Sequence, residues 1–140
     1  MRIVYPRCCG LDVHKRSISA CLLTPHQEGG TKQQVRRFGT VTRDLLELCD
    51  WLISNQVTHV AMESTGVYWK PVWNILEASV TILLVNAQHV KAVPGRKTDV
   101  RDSEWLAELL RHGLLSPSFI PPQPIREIRA LNRYRRTPDP

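Results

Sequence analysis

Four acidic residues stand where they can act together: Asp12, Glu63, Asp99 and Asp102. Asp12 falls near the end of a largely apolar run, residues 7–14 (RCCGLDVH). Glu63 directly follows a second short run, 58–62 (THVAM), in the segment AMESTG. If two such runs are parallel neighbours in a sheet, their C-terminal ends place both carboxylates on one rim. Asp99 and Asp102 are three residues apart at the start of a helical pattern and so share a face. Four carboxylates converging on a rim repel one another unless cations neutralise them. Mg²⁺ suits such a set, with Mn²⁺ as a substitute, because it takes hard oxygen ligands and keeps positions for water and phosphate. Two such ions about 4 Å apart clamp the attacking and leaving oxygens of a phosphodiester.

Taken singly, each acid also fits an ordinary structural role. Asp99 as N-cap with Asp102 in the first turn is a helix-start pattern favoured by the helix dipole. Glu63 before Ser64-Thr65-Gly66 fits a turn or a helix start, and Asp12 fits an acceptor in a tight turn. The combination carries more than any member: acids at the end of a first strand, at the end of a fourth strand and on a late helix.

The elements that must position them follow from periodicity. Residues 7–14, 17–23 (SISACLL) and 33–38 (QQVRRF) read as three strands, with Pro25, Gly29 and Gly30 marking a turn. From Thr42 the period becomes helical through Leu45, Leu46, Leu48, Cys49, Leu52 and Ile53, with Thr42 as N-cap and Asp44 in the first turn. A strand at 58–62 precedes a helix at 67–78 with Tyr68, Val72, Ile75 and Leu76 inward. The unbroken apolar run 80–85 (VTILLV) predicts a strand covered on both faces. A short helix at 86–93 is closed by Pro94 and Gly95, and Gln88 and His89 follow the 80–85 strand at its rim. A helix at 99–112 buries Trp105, Leu106, Leu109 and Leu110 and stops at Gly113.

The predicted order is β-β-β-α-β-α-β-α, an α/β mixed sheet flanked by helices. Ribonuclease-H-like folds have this order, as do other architectures. Residues 1–116 read as one domain. Residues 117–124 hold four of the ten prolines and read as a linker; 125–136 resume a helical pattern with five arginines, of which Arg126, Arg129 and Arg133 share a face.

Three segments, 8–15 (CCGLDVHK), 61–71 (AMESTGVYWKP) and 97–115 (KTDVRDSEWLAELLRHGLL), resemble the N-terminal catalytic domain of the DEDD transposases, RuvC-like recombinases of bacterial insertion sequences. The resemblance covers about residues 9–136, with the motifs in family order. It implies a ribonuclease-H-like (RuvC-like) fold, Mg²⁺-supported DNA strand cleavage and transfer, and an acidic tetrad of Asp12, Glu63, Asp99 and Asp102. It also implies a structured bridge RNA as guide, and a homo-oligomer for the full-length protein. Family members continue into a helical region and a second domain where a serine is implicated as nucleophile. The present 140 residues are therefore expected to be the N-terminal part, and none of their serines inherits that role.

Composition is consistent with this. The net charge is +6 and the pI about 9.5, which favours polyanion partners. Residues 91–140 carry ten basic and six acidic groups, against nine and seven in residues 1–90. Lys15, Lys70 and Lys97 lie in or beside the acidic motifs and, with Arg126, Arg129 and Arg133, are the candidate nucleic-acid contacts; a solvated surface is the alternative for each. Cys8, Cys9, Cys21 and Cys49 show no CxxC spacing and read as buried, reduced thiols. No apolar run approaches the roughly 20 residues of a membrane span, and no secretory pattern opens the chain, so a cytoplasmic, nucleoid-associated protein is expected. Two other readings stand beside the recombinase. One is a non-catalytic nucleic-acid-binding module of the same fold. The other is a nucleotide-binding domain of the actin and sugar-kinase type, disfavoured because no glycine-rich phosphate loop follows Asp12.

Overall fold

The computed structural model describes residues 2–64, 66–87, 90, 93–96 and 101–116. Strands β1 (Cys8–Val13), β2 (Ser17–Pro25) and β3 (Thr31–Gly39) form an antiparallel meander. Helix α1 (Thr42–Ser54) then crosses to β4 (His59–Ser64), which pairs parallel to β1. Helix α2 (Trp69–Leu76) leads to β5 (Thr81–Leu84), parallel to β4, and α3 (Asp102–Arg111) follows. The sheet order is β3-β2-β1-β4-β5, so the first strand of the chain lies in the middle.

Alternation along the strands divides the core in two. Cys9, Leu11, Val13, Ile18, Ala20, Leu22, Val60 and Met62 pack with Leu45, Leu48 and Leu52 of α1 and Val72, Trp73 and Leu76 of α2. Cys8, Cys21, Leu23 and Ala61 point the other way, onto Ala107 and Leu110 of α3. Both faces of β1 and β4 are thus covered, which explains their nearly unbroken apolar runs. The four cysteines are buried free thiols, as the sequence predicted. Among the described residues no helix is long and apolar enough to cross a membrane.

The helix ends are built locally. At the end of α3, Gly113 adopts φ +69°, its N–H donates to the Leu110 carbonyl and the Leu114 N–H to the Leu109 carbonyl, each at 2.9 Å. This is a Schellman closure, and the glycine stop was legible in the sequence. The same closure ends α1, but with Gln56 at φ 59°, bonded to Ile53 at 2.9 Å, and Val57 bonded to Leu52 at 3.0 Å.

Several expectations need correction. Thr42 does not cap α1: the cap position is Val41, in extended conformation with no side-chain bond, and the anionic Asp44 in the first turn supports the helix start instead. Tyr68 is exposed rather than inward, because α2 begins only at Trp69 and its buried stripe runs through Val72, Trp73 and Leu76. Helix α3 begins at Asp102, with Arg101 rather than Asp99 in the cap position. Strand β4 runs on to Ser64, two residues beyond the apolar run, because its backbone stays paired with β1 where side chains turn polar. The 86–93 helix and the Arg-rich 125–136 helix lie wholly or partly outside the described residues; at the former, the Val90 N–H donates to the Asn86 carbonyl at 3.1 Å.

Candidate metal centre

The register of β1 and β4 sets the first pair of acids. Cys8 through Val13 are Cα partners of His59 through Ser64 one by one, and Asp12 is thereby opposite Glu63. Both side chains lie on the face that α3 covers, because Cys8 and Gly10 on β1 and Ala61 on β4 share that parity.

The third acid arrives on α3, and Gly10 lets it. A Cβ added at Gly10 would come within 2.6 Å of the Ala107 amide nitrogen and 2.9 Å of the Leu106 Cβ, and closer still to the Ser103 carbonyl oxygen. Only a residue without a side chain permits this approach of helix backbone to strand backbone. The contact is fixed by a hydroxyl pair, Ser103 Oγ to Ser19 Oγ at 3.1 Å, Ser103 being fully buried. Helix α3 therefore begins above the C-terminal half of β1, and Asp102, its first residue, stands over Asp12 and Glu63. One carboxylate oxygen from each of Asp12, Glu63 and Asp102 lies within 4.8 Å of the other two.

Two cationic or ionisable side chains already lean on this cluster. His14 Nε2 is 3.0 Å from Asp12 Oδ2, and the Arg96 guanidinium donates to Asp102 Oδ1 at 2.6 Å. The Asp12 side chain is 14 % exposed and that of Asp102 47 %, so the cluster opens to solvent on the Asp102 side. The donor set is three hard oxygens, half-buried and open on one side. An Mg²⁺ ion with bonds of about 2.1 Å brings two oxygens on opposite sides of it to about 4.2 Å. Three carboxylate oxygens all within 4.8 Å of one another are on that scale, so the residues fit a hard divalent cation, Mg²⁺ or Mn²⁺.

Of the sequence-predicted residues, Asp12, Glu63 and Asp102 are brought together; Asp99, Lys97, Arg126, Arg129 and Arg133 lie outside the described residues. Lys15 is exposed in the β1–β2 turn, just past Asp12, and Lys70 is exposed in the first turn of α2, which follows β4, so one stands on a turn and the other on a helix start beyond the strand ends that carry the acids. Sequence reasoning missed His14, Arg96, Gly10 and the buried contact of Ser103 with Ser19. His14 had a signal, since a residue two past Asp12 on an extended strand shares its face. Arg96 had none, because its contact with Asp102 depends on how the segment before α3 folds back.

The fold has solved relatives. A structure of Thermus thermophilus RuvC in complex with a Holliday junction substrate superimposes with a TM-score of 0.54 at 11% identity, covering 80% of this chain and 99% of that one. Another Thermus thermophilus RuvC structure gives a TM-score of 0.52 at 13% identity, with the same coverage. At such identity the likeness is one of fold, and that fold is RuvC-like, a member of the ribonuclease-H-like class. A comparison with the curated proteins returns no match. A family model for DEDD transposases of the IS110 kind, described as Transposase, matches residues 9–137, nearly the whole chain, and the chain belongs to that family.

Proposed function

We propose that this chain is the metal-dependent catalytic domain of a DNA transposase, and that Asp12, Glu63 and Asp102, with Asp99 as fourth member, hold Mg²⁺ for cleavage and transfer of DNA strands. The observation that supports this reading is the convergence of Asp12, Glu63 and Asp102, contributed by two parallel strands and one helix, to within 4.8 Å. When bound, the divalent ion polarises the phosphodiester and lowers the pKa of its attacking water or hydroxyl. The chain's own residues do the rest. Asp12 and Glu63 are held rigidly by the sheet, and Asp102 is held by the first turn of α3, so the ligands need little reorganisation. Arg96 pairs with Asp102 and offsets part of the negative charge of the cluster, and His14 is hydrogen-bonded to Asp12.

Lys15, Lys70 and Lys97 are placed by this reading on the phosphates flanking the cleaved bond, and Arg126, Arg129 and Arg133 on more distant ones. DNA is the substrate; the guide RNA and self-assembly of the full-length protein complete the same proposal. The deciding experiment is Mn²⁺ binding, by calorimetry or electron paramagnetic resonance, to wild type and to Asp12→Asn, alongside metal-dependent nicking of supercoiled DNA. Binding that vanishes in Asp12→Asn supports the site. Absence of binding in wild type sinks it and leaves a nucleic-acid-binding module of the same fold.

A further inference from the structure

Across the meander, β1 pairs with β2 and β2 with β3 in a register that extends the acidic row outward. Asp12 is opposite Ser19, and Ser19 is opposite Arg37. Glu63, Asp12, Ser19 and Arg37 thus form one rank across four strands. All four belong to the face that α3 covers: Ser19 bonds Ser103 of α3, and Val35, two residues before Arg37, packs against the cluster of Cys21 and Ala107. Arg37 itself is exposed, on an edge strand of the sheet. Two strand spacings of about 4.8 Å put its backbone roughly 10 Å from that of Asp12.

Arg37 also differs from its neighbours in charge balance. Arg36, on the opposite face, pairs with Glu47 and lies over the rings of Phe38 and Trp51. Arg43, Arg96, Arg101 and Arg111 each have a carboxylate within 4.0 Å. Among the described residues no carboxylate pairs with Arg37. Glu104 of α3, whose charge reaches Cys21 on β2, is engaged by Arg101 at 3.7 Å. Lys15 and Arg16, the two exposed residues of the β1–β2 turn between His14 and Ser17, add two further cations at the same end of the sheet.

From this placement we infer that Arg37 is a DNA-binding residue, contacting a backbone phosphate of the strand engaged by the acidic cluster. Arg16 flanks the same path, which runs from the cluster across the exposed ends of β2 and β3. The inference rests on the proposed function for its substrate. About 10 Å of backbone separation, together with the reach of an arginine side chain, sets the contacted phosphate within a few nucleotides of the one at the cluster. A cation at that distance holds the strand in register without touching the reacting atoms, so Arg37 is a positioning residue. An unpaired guanidinium suits it, since it presents a fork of donors to phosphate and has no competing carboxylate to release.

The experiment measures affinity for a short duplex DNA by fluorescence anisotropy over a range of salt, with Mg²⁺ held constant. Wild type is compared with Arg37→Gln, Arg37→Lys and Arg36→Gln, all in the full 140-residue chain. Arg37→Gln is expected to reduce the magnitude of the log K against log salt slope by about 0.9 and to weaken binding roughly eightfold at 0.1 M salt. Arg37→Lys should restore the slope, because the charge is kept. Arg36→Gln, which removes the same charge from the opposite face, should leave the slope unchanged and so separates position from net charge. An unchanged slope in Arg37→Gln overturns the inference, as does an equal change in Arg36→Gln. A change seen with duplex RNA and not with DNA also overturns it. Mn²⁺ binding by the same proteins is read separately: if wild type binds no Mn²⁺ while Arg37→Gln still flattens the slope, the metal reading falls and the DNA path stands.

Discussion

Asp12 on β1 and Glu63 on β4 are register partners in the parallel pair at the centre of the sheet, so the two carboxylates are held side by side by backbone hydrogen bonds rather than by loops. A one-residue slip of that register would send Glu63 to the opposite face, into the packing of α1 and α2. The pair therefore has the rigidity of the core itself.

Because the acids repel one another, the metal-free protein should tolerate losing one. Asp12→Asn or Glu63→Gln is expected to leave stability without metal unchanged or slightly raised, while wild type alone gains on adding Mn²⁺. At a free concentration a hundred times the dissociation constant that gain is about 2.7 kcal/mol. Thermal melts with and without Mn²⁺ check it, and an equal gain in the variants would show that the ion binds elsewhere.

Arg96 occupies one oxygen of Asp102 at 2.6 Å, a cation beside a cation site. Arg96→Gln should tighten Mn²⁺ binding by roughly two- to fivefold, corresponding to a partly exposed ion pair of up to about 1 kcal/mol. Titration calorimetry reads this directly; weaker binding in the variant would mean that Arg96 orients Asp102 more than it competes for it.

Gly10→Ala tests the close approach of α3 to β1. The added methyl meets helix backbone, which has little room to yield, so the cost should reach or exceed the roughly 1–3 kcal/mol of an overpacked core. Urea denaturation measures that loss, and Mn²⁺ affinity should fall with it because Asp102 rides on the displaced helix. A variant of wild-type stability would refute the contact.

The buried thiols make a pH prediction. Burial pushes Cys8 and Cys21 up to about 12 from an ordinary 9.0, and raises Cys9 as well. The folded state therefore holds thiol protons that the unfolded chain releases. Stability from these groups is complete below pH 9 and declines as pH rises from about 9 toward about 12. In native protein at pH 8 a thiol reagent should label these cysteines only slowly, and in urea readily.

Gln56 closes α1 in a left-handed conformation that favours glycine. Gln56→Gly should be neutral to stabilising, by up to about 1 kcal/mol, as judged by the urea midpoint.

Much of this protein was determined by its sequence alone. The change of period at Thr42, the apolar runs of β1, β4 and β5, the stripe of Trp105, Leu106, Leu109 and Leu110 and the stop at Gly113 are local, and local chemistry carries them. The three long motifs carried the family. What the tertiary structure decided is of another kind. That β1 pairs with β4 so that residue 12 meets residue 63, and that β4 continues through Glu63, both depend on backbone pairing between segments distant in sequence. The rank that carries Arg37 toward the acids depends on it too, and the contact of Arg96 with Asp102 depends on how the segment before α3 folds back. Periodicity reports which face of an element is buried; it holds no information about which residue of a neighbouring element stands opposite. Register and close approach supply that, and Gly10, unremarkable in the sequence, is the residue whose missing side chain brings the third acid into place.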